Sequence, residues 1–337
     1  MIQGITQRKE TVMIEIKNLV KRYGDHIAVN DITFSIESGE IVGFLGPNGA
    51  GKTTTMSILT GCLSSTSGSA TINGIDIFDN PQEAKKQIGY LPEFPPLYLE
   101  MTVMEYLNFV YELKSCSLDR EKHLSEICEK VKLTHVANRI IRNLSKGYRQ
   151  RVGIAQALIG NPKVIIFDEP TVGLDPKQII EIRTLIKELG KDHTVILSTH
   201  ILPEVQMVCD RIVIINQGKI VADEKTEDIE KVVLGSRQIQ LKVCGPAKEV
   251  QNAIKGLTGI KYCEVIGERE MQSTAFLIES TPGVDMRKSI FNLCASRAWP
   301  IIGMEAVGLN LEDIFISVVD EQDEEGKKKK RKGKGNK

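Results

Sequence analysis

Residues 46–54 read Gly-Pro-Asn-Gly-Ala-Gly-Lys-Thr-Thr, and this stretch constrains the chain more than any other. It fits the pattern G-x-x-x-x-G-K-[ST], with a second threonine behind it. The flanks fit the same context. Residues 40–45 form a short apolar run of strand length, and 53–61 place Met56, Ile58 and Leu59 on what would be the buried side of a helix. A strand, a glycine-rich turn and a helix start make a nest of backbone N–H groups aimed at an anion. Gly46, Gly49 and Gly51 let the backbone approach phosphate oxygens without a Cβ in the way. Pro47, Asn48, Ala50 and Thr54 belong to the same phosphate-contacting stretch. Lys52 can reach β- and γ-phosphates as a point charge, and the Thr53 hydroxyl can ligate Mg²⁺.

The chain of 337 residues is long for one domain and comfortable for two. Its longest apolar runs fall far short of the ~20 residues that span a bilayer. The seven cysteines form no C-x-x-C pair and no zinc-like spacing with histidine, so they read as reduced thiols, mostly filling cores. The formal net charge of zero hides an asymmetry: residues 326–337 carry eight positive charges. Without them 36 basic residues face 44 acidic ones, so the body is acidic by eight.

Residues 1–12 are polar and patternless, and are expected to be a disordered leader. The spacing predicts a strand over 14–19, a turn over 21–24 and a half-buried strand over 32–36. A strand pair is expected at 70–77 around Asn73-Gly74, a short helix at 82–87 and a short strand at 88–91. Thr102 with Glu105 reads as a capping box opening a helix to about residue 113. A second helix over 118–133 completes the expectation of a helical subdomain at about 99–160. Residues 164–167 and 194–197 are fully apolar, as in strands buried on both faces. Asp175 and Pro176 have the residue types of a helix start, and 212–221 those of a terminal hairpin. From about 226 the order becomes β-α-β-β-α-β, that of a ferredoxin-like unit, with a closing helix over 309–318.

The strand 164–167 runs into Asp168-Glu169. Beside a phosphate loop, Asp168 can hold Mg²⁺ through water opposite Thr53, and Glu169 can orient or deprotonate an attacking water. The segment 144–151, Leu-Ser-Lys-Gly-Tyr-Arg-Gln-Arg, opens a further helix. Together with 46–53, 164–169, Gly173-Leu174-Asp175 and His200, it gives the sequence a close resemblance to the nucleotide-binding subunits of ABC (ATP-binding cassette) ATPases. The resemblance covers roughly 14–225.

That resemblance implies a P-loop α/β core with a helical subdomain over 13–225. A small α+β accessory domain at 226–320 and a charged tail at 321–337 would follow. It implies ATP hydrolysis with Mg²⁺. Ser145 and Gly147, at a helix N-terminus, would meet the γ-phosphate held by a second copy's phosphate loop in a head-to-tail homodimer or pseudo-dimer. Asp175 would link the two sites. His200 would contact the γ-phosphate and the Glu169 region, and Tyr23 would stack on adenine. Ser145 can equally serve only to cap its own helix, and Tyr23 only to pack.

Two segments depart from the common family pattern. Glu93 stands where glutamine is usual; it can ligate Mg²⁺ as well and adds a negative charge. Lys146-Gly147-Tyr148 stands for Gly-Gly-Gln. Both variants, with Leu311-Glu312-Asp313-Ile314-Phe315, resemble the branch serving export-type, ABC-2-like permeases. The implied partner is then a separate membrane permease, and the implied place the cytoplasmic face of the cell membrane. The loop 93–98 and helix 102–113 are the candidate docking surface, though their aromatics Phe94, Tyr98, Tyr106, Phe109 and Tyr111 would also suit a core. The basic tail could touch anionic lipid. The competing class is a soluble ABC ATPase acting on nucleic acid or ribosomes. A single cassette and only about ninety residues between Lys52 and Ser145 leave no room for the coiled-coil insertion such proteins usually carry, so nucleic acid is disfavoured.

Overall fold

The computed structural model describes residues 11–228, 238–268, 273–281 and 284–307. The expected leader, closing helix and basic tail lie outside them, apart from residues 11 and 12. The chain divides into two compact units at Thr226.

The first unit contains two sheets. One is antiparallel, in the order β2-β1-β4-β5, from β1 (Val12–Tyr23), β2 (His26–Glu37), β4 (Ser67–Ile72) and β5 (Ile75–Asp76). The other has six strands: β3 (Ile41–Leu45), β6 (Ile88–Leu91), β7 (Val164–Asp168), β8 (Thr194–Thr199), β9 (Arg211–Asn216) and β10 (Lys219–Lys225). Their order is β10-β9-β3-β8-β7-β6, parallel throughout except for the edge strand β10. Strands β3, β7 and β8 are buried at every residue, which is what their unbroken apolar runs require of central parallel strands.

A common core joins the two sheets. Ile14, Ile16 and Ile36 from the antiparallel sheet meet Val42, Phe44 and Ile196 from the parallel one, with Met56 and Ile58 from helix α1 (Lys52–Leu59). The Phe34 and Phe44 rings stack with centroids 5.6 Å apart. Each such ring contributes roughly 1.5–3 kcal/mol on burial.

After α2 (Pro81–Lys86) and β6, the chain becomes helical: α3 (Val103–Leu113), α4 (Arg120–Lys130) and α5 (Lys146–Leu158). Thr102 and Glu105 do form a capping box, each side chain bonding the other's backbone N–H. The aromatics of this region divide. Tyr106 and Tyr111 are buried, whereas Phe94, Tyr98 and Phe109 are exposed. Two helices then flank β8: α6 (Pro176–Leu189), capped by Asp175, and α7 (Leu202–Val208).

The structure corrects several local expectations. β1 runs on through 21–23, because Lys21, Arg22 and Tyr23 pair with Val29, Ile27 and His26 across the hairpin; the turn is Gly24-Asp25. Gly24 takes a left-handed φ of 59° there. The helix expected over 118–133 is confined to 120–130, where Asp119 caps it by accepting from the Lys122 N–H. Helix α7 has no counterpart in the sequence reading.

In the second unit β11 (Gln238–Val243), α8 (Ala247–Lys255), β12 (Ile260–Glu268), β13 (Thr274–Ser280), α9 (Arg287–Ser296) and β14 (Ile301–Val307) follow one another. The sheet order is β12-β13-β11-β14, antiparallel throughout, with the first and third strands central. Ile239, Leu241 and Val243 alternate with polar residues along β11 and meet Val250, Ile254 and Ile290 from the helices. Four of the seven cysteines, at 128, 209, 263 and 294, are buried, and none of the seven is joined in a disulfide.

Candidate active site

Four neighbouring parallel strands deliver their carboxyl ends to one place. β3 leads into the glycine loop, β8 into His200, β7 ends on Asp168-Glu169, and β6 is followed by Glu93. Strands about 4.8 Å apart therefore bring together residues separated by more than a hundred positions. Ligands in open α/β sheets bind at such ends.

The loop 46–51 is shaped by contacts only glycine tolerates. A Cβ on Gly51, whose φ is 108°, would stand 2.5 Å from the Ala28 carbonyl oxygen; one on Gly46 would stand 2.3 Å from that of Ile215. Gly51 precedes α1 without a side-chain cap, and no acidic residue sits in the first turn. The first-turn amides have no intrahelical partner, so the helix start offers N–H groups to an anion. Lys52 is 6% exposed. Its ammonium donates to the Gly46 and Pro47 carbonyls at 2.8 and 3.3 Å and lies 3.5 Å from Glu169 Oε1.

Asp168 is fully buried, and among the described residues neither carboxylate oxygen has a donor in hydrogen-bond geometry. Burial pushes its pKa up, against the nearby Ser198 and Thr53 hydroxyls; the Glu169 charge raises it further and Lys52 lowers it. Glu169, 6% exposed, adopts φ 50° and donates its N–H to the Ser198 carbonyl at 2.9 Å. A left-handed backbone at a residue with a side chain is held only by its surroundings. The carboxylate meets His200 Nδ1 at 2.9 and 3.0 Å. Since a carboxylate only accepts, Nδ1 carries the shared proton and Nε2 is left for another partner.

A cavity of about 430 Å³ collects Tyr23, Asn48, Gly49, Gly51, Lys52, Thr53, Thr54, Glu93, Glu169 and His200. Its polar lining is mostly made by the residues singled out from the sequence. His26, Ala28 and Val172 also line it and were not anticipated; they carry no motif and are placed by the β1–β2 hairpin and by the turn after Glu169. Tyr23 is half-exposed, with the Lys21 ammonium 5.3 Å from its ring centre.

Ser145, Gly147 and Asp175 do not line this cavity. Ser145 caps α5, its hydroxyl accepting from the Tyr148 N–H at 3.4 Å. Asp175 caps α6 by accepting from the Gln178 N–H at 2.9 Å. Side chains bridge the two helix starts: the Gln178 amide lies over Gly147, 2.6 Å from where a Cβ would stand, and the Lys146 ammonium lies against Gly173. Glu204, another residue missed in the sequence, is buried beside the ends of β7 and β8 and accepts from Thr171 and Thr199.

Residues 29–172 match the family model described as ABC transporter. The chain is 33% identical over 309 residues to the uncharacterized ABC transporter ATP-binding protein YxlF of Bacillus subtilis, covering 91% of this chain and 99% of that one. It is 34% identical over 235 residues to Nod factor export ATP-binding protein I of Cupriavidus pinatubonensis, covering 68% and 72%. The dimeric, post-hydrolysis structure of the ATP-binding cassette MJ0796 bound to ADP and Pi superposes with a TM-score of 0.58 at 30% identity, over 64% of this chain and 99% of that one. Fold, loop chemistry and relatives thus agree: the chain belongs to the ABC transporter family, as an ATP-binding subunit that hydrolyses ATP.

Proposed function

We propose that this chain powers export through a separate membrane permease, hydrolysing Mg·ATP held between two cassettes at the cytoplasmic membrane face. The observation that carries the reading is the division of the motifs. Lys52, Thr53, Glu93, Glu169 and His200 share one cavity, while Ser145 and Gly147 stand at a helix start outside it. A second copy, placed head to tail, would bring that helix start to the γ-phosphate and close the site from water.

The residues fit a magnesium ion. Asp168 is a buried carboxylate lacking donors, beside the Thr53 hydroxyl, and Glu93 supplies a further hard oxygen on the cavity wall. Thr53, Asp168 and Glu93 would hold the ion, which would neutralise charge on the phosphate oxygens. The remaining work falls to the chain. Lys52 exchanges its loop carbonyls for phosphate oxygens. Glu169 accepts a proton from the water attacking the γ-phosphorus, as the bond from that phosphorus to the bridging oxygen breaks and ADP leaves. His200, oriented by Glu169, directs Nε2 at the γ-phosphate. Catalysis is then positioning plus charge stabilisation.

Export is supported by the Leu-Pro-Glu and Ser-Lys-Gly-Tyr variants and by the likeness to the Nod factor export protein. Among the described residues no helix is long and apolar enough to cross a membrane. The docking face would be the exposed aromatics Phe94, Tyr98 and Phe109, beside an apolar cavity of about 800 Å³ that Tyr98 and Phe109 line. The test is affinity capture of the full chain from its native membranes in detergent, followed by mass spectrometry. A polytopic membrane protein should co-purify and be lost on Phe94→Asp/Phe109→Asp. Ribosomal or nucleic-acid partners instead would overturn the reading.

A further inference from the structure

Glu204 stands in the first turn of α7 and is 2% exposed. A carboxylate buried so completely is costly unless donors meet it. Three groups do. The Thr171 hydroxyl shares its proton between both oxygens, at 2.7 and 2.8 Å. The Thr199 hydroxyl donates to Oε2 at 3.2 Å, and the Arg183 guanidinium lies 3.4 Å from Oε1. These threonines are not arbitrary neighbours. Thr171 lies two residues beyond Glu169, on the chain leaving β7. Thr199 is the last residue of β8, directly before His200. Only His200 and Ile201 connect β8 to α7, so the direction of the imidazole depends on where α7 is fastened.

We propose that Glu204 is a positioning residue for ATP hydrolysis: its carboxylate ties the Thr171 and Thr199 hydroxyls together and so holds Glu169 and His200 at contact distance. Glu204 does not line the nucleotide cavity and acts only through its two partners. The tie also accounts for the φ of 50° at Glu169, which needs its flanks fixed: Ser198 holds its N–H, and Thr171 holds the chain beyond it. Displacements of about 1 Å at a reacting centre cost about 100-fold in rate, so slack between the β7 and β8 ends appears as lost turnover rather than lost binding. The inference rests on the reading of Glu169 and His200 as the pair at the reacting phosphate.

The experiment uses the full chain and four variants: Glu204→Ala, Glu204→Gln, Thr171→Val/Thr199→Val, and Glu169→Gln as reference. Phosphate release gives kcat and KM, and a fluorescent non-hydrolysable ATP analogue gives Kd. Glu204→Ala and the double valine variant should lose about 10–100-fold in kcat, with the analogue's Kd within about threefold of the parent. Glu204→Gln keeps an acceptor for a threonine hydroxyl and should recover most of that loss. If kcat per nucleotide-binding chain is unchanged while only the melting temperature falls, Glu204 merely supports the fold and the inference is overturned. Should Glu204→Ala not fold, Thr171→Val alone decides, and an unchanged kcat there also overturns it. Normal turnover by Glu169→Gln would bring down the underlying pair assignment. An inactive Glu169→Gln beside fully active clamp variants would bring down this inference alone.

Discussion

His200 Nδ1 lies 2.9 Å from Oε1 and 3.0 Å from Oε2 of Glu169, although 31 residues separate the two in sequence. They meet because β7 and β8 are adjacent parallel strands that end side by side, with Asp168 level with Ser198. The same contact holds the Glu169 carboxylate between an imidazole and the Lys52 ammonium, at the mouth of a phosphate-binding loop.

Glu169→Gln keeps the shape of that contact and removes the proton acceptor. It should bind ATP with unchanged affinity, lose about 10²–10⁴-fold in turnover, and accumulate an ATP-bound dimer. Phosphate release and size-exclusion chromatography with ATP check this. Normal hydrolysis would show that Glu169 is not the catalytic carboxylate.

Asp168 is a buried acid whose folded-state pKa is raised, chiefly by burial. The sign follows from linkage. The folded state binds the proton more tightly than the unfolded state, so this group destabilises the nucleotide-free protein as pH rises from the unfolded pKa through the folded one. Asp168→Asn should therefore raise the melting temperature of the first unit in EDTA at pH 8 by a few degrees, about 2–4 °C per kcal/mol for a unit of roughly 150–250 residues. The gain should shrink toward pH 4. Thermal scans across that range decide, and a lower melting temperature at pH 8 would refute the assignment. The same variant should lose Mg²⁺-dependent nucleotide binding.

A Cβ on Gly147 would stand 2.6 Å from the amide end of the Gln178 side chain, which is flexible and can turn aside. Gly147→Ala should turn the Gln178 side chain aside, change stability by less than about 1 kcal/mol, and lower ATPase activity more than ATP affinity. Trimming the obstacle in Gly147→Ala/Gln178→Ala should recover whatever stability the contact costs. A double-mutant cycle on melting temperature measures the coupling, and strict additivity would mean that the contact does not matter.

Tyr23 is half-exposed and lines the cavity, so its ring would be free to stack on a nucleobase. Tyr23→Ala should raise the ATP Kd by about 3–10-fold, in line with roughly 0.5–1.5 kcal/mol for a ring contact. Tyr23→Phe should leave it unchanged. Equal losses in both variants would point to the hydroxyl rather than the ring.

Much of the candidate site's lining was legible in the sequence because its chemistry is local. Six residues of glycine loop, one lysine and one threonine must be contiguous to wrap a phosphate, and a carboxylate pair at the end of an apolar strand follows from a central parallel β-strand. The capping box at Thr102 and Glu105 and the helix start at Asp175 are equally local, since each satisfies an amide within three residues. The order of elements in the second unit followed from periodicity, as Gln238–Val243 alternates strictly between buried and partly buried residues.

The tertiary structure decided what depends on neighbours distant in sequence. Strand order alone brings Glu93, Glu169 and His200 to one cavity; a reading along the chain contains no distances between strand ends. The extra length of β1 came from pairing with β2, which turned Lys21–Tyr23 from an expected turn into a hairpin arm. The aromatics of α3 divided into core, Tyr106 and Tyr111, and surface, Phe109, according to which side of the helix faces α4 and α5, a matter of packing that their hydrophobicity leaves open. Glu204 was invisible for the same reason. In sequence it is one glutamate among many, and only the fold puts it in the dark beside two threonines, where a buried carboxylate must find its donors.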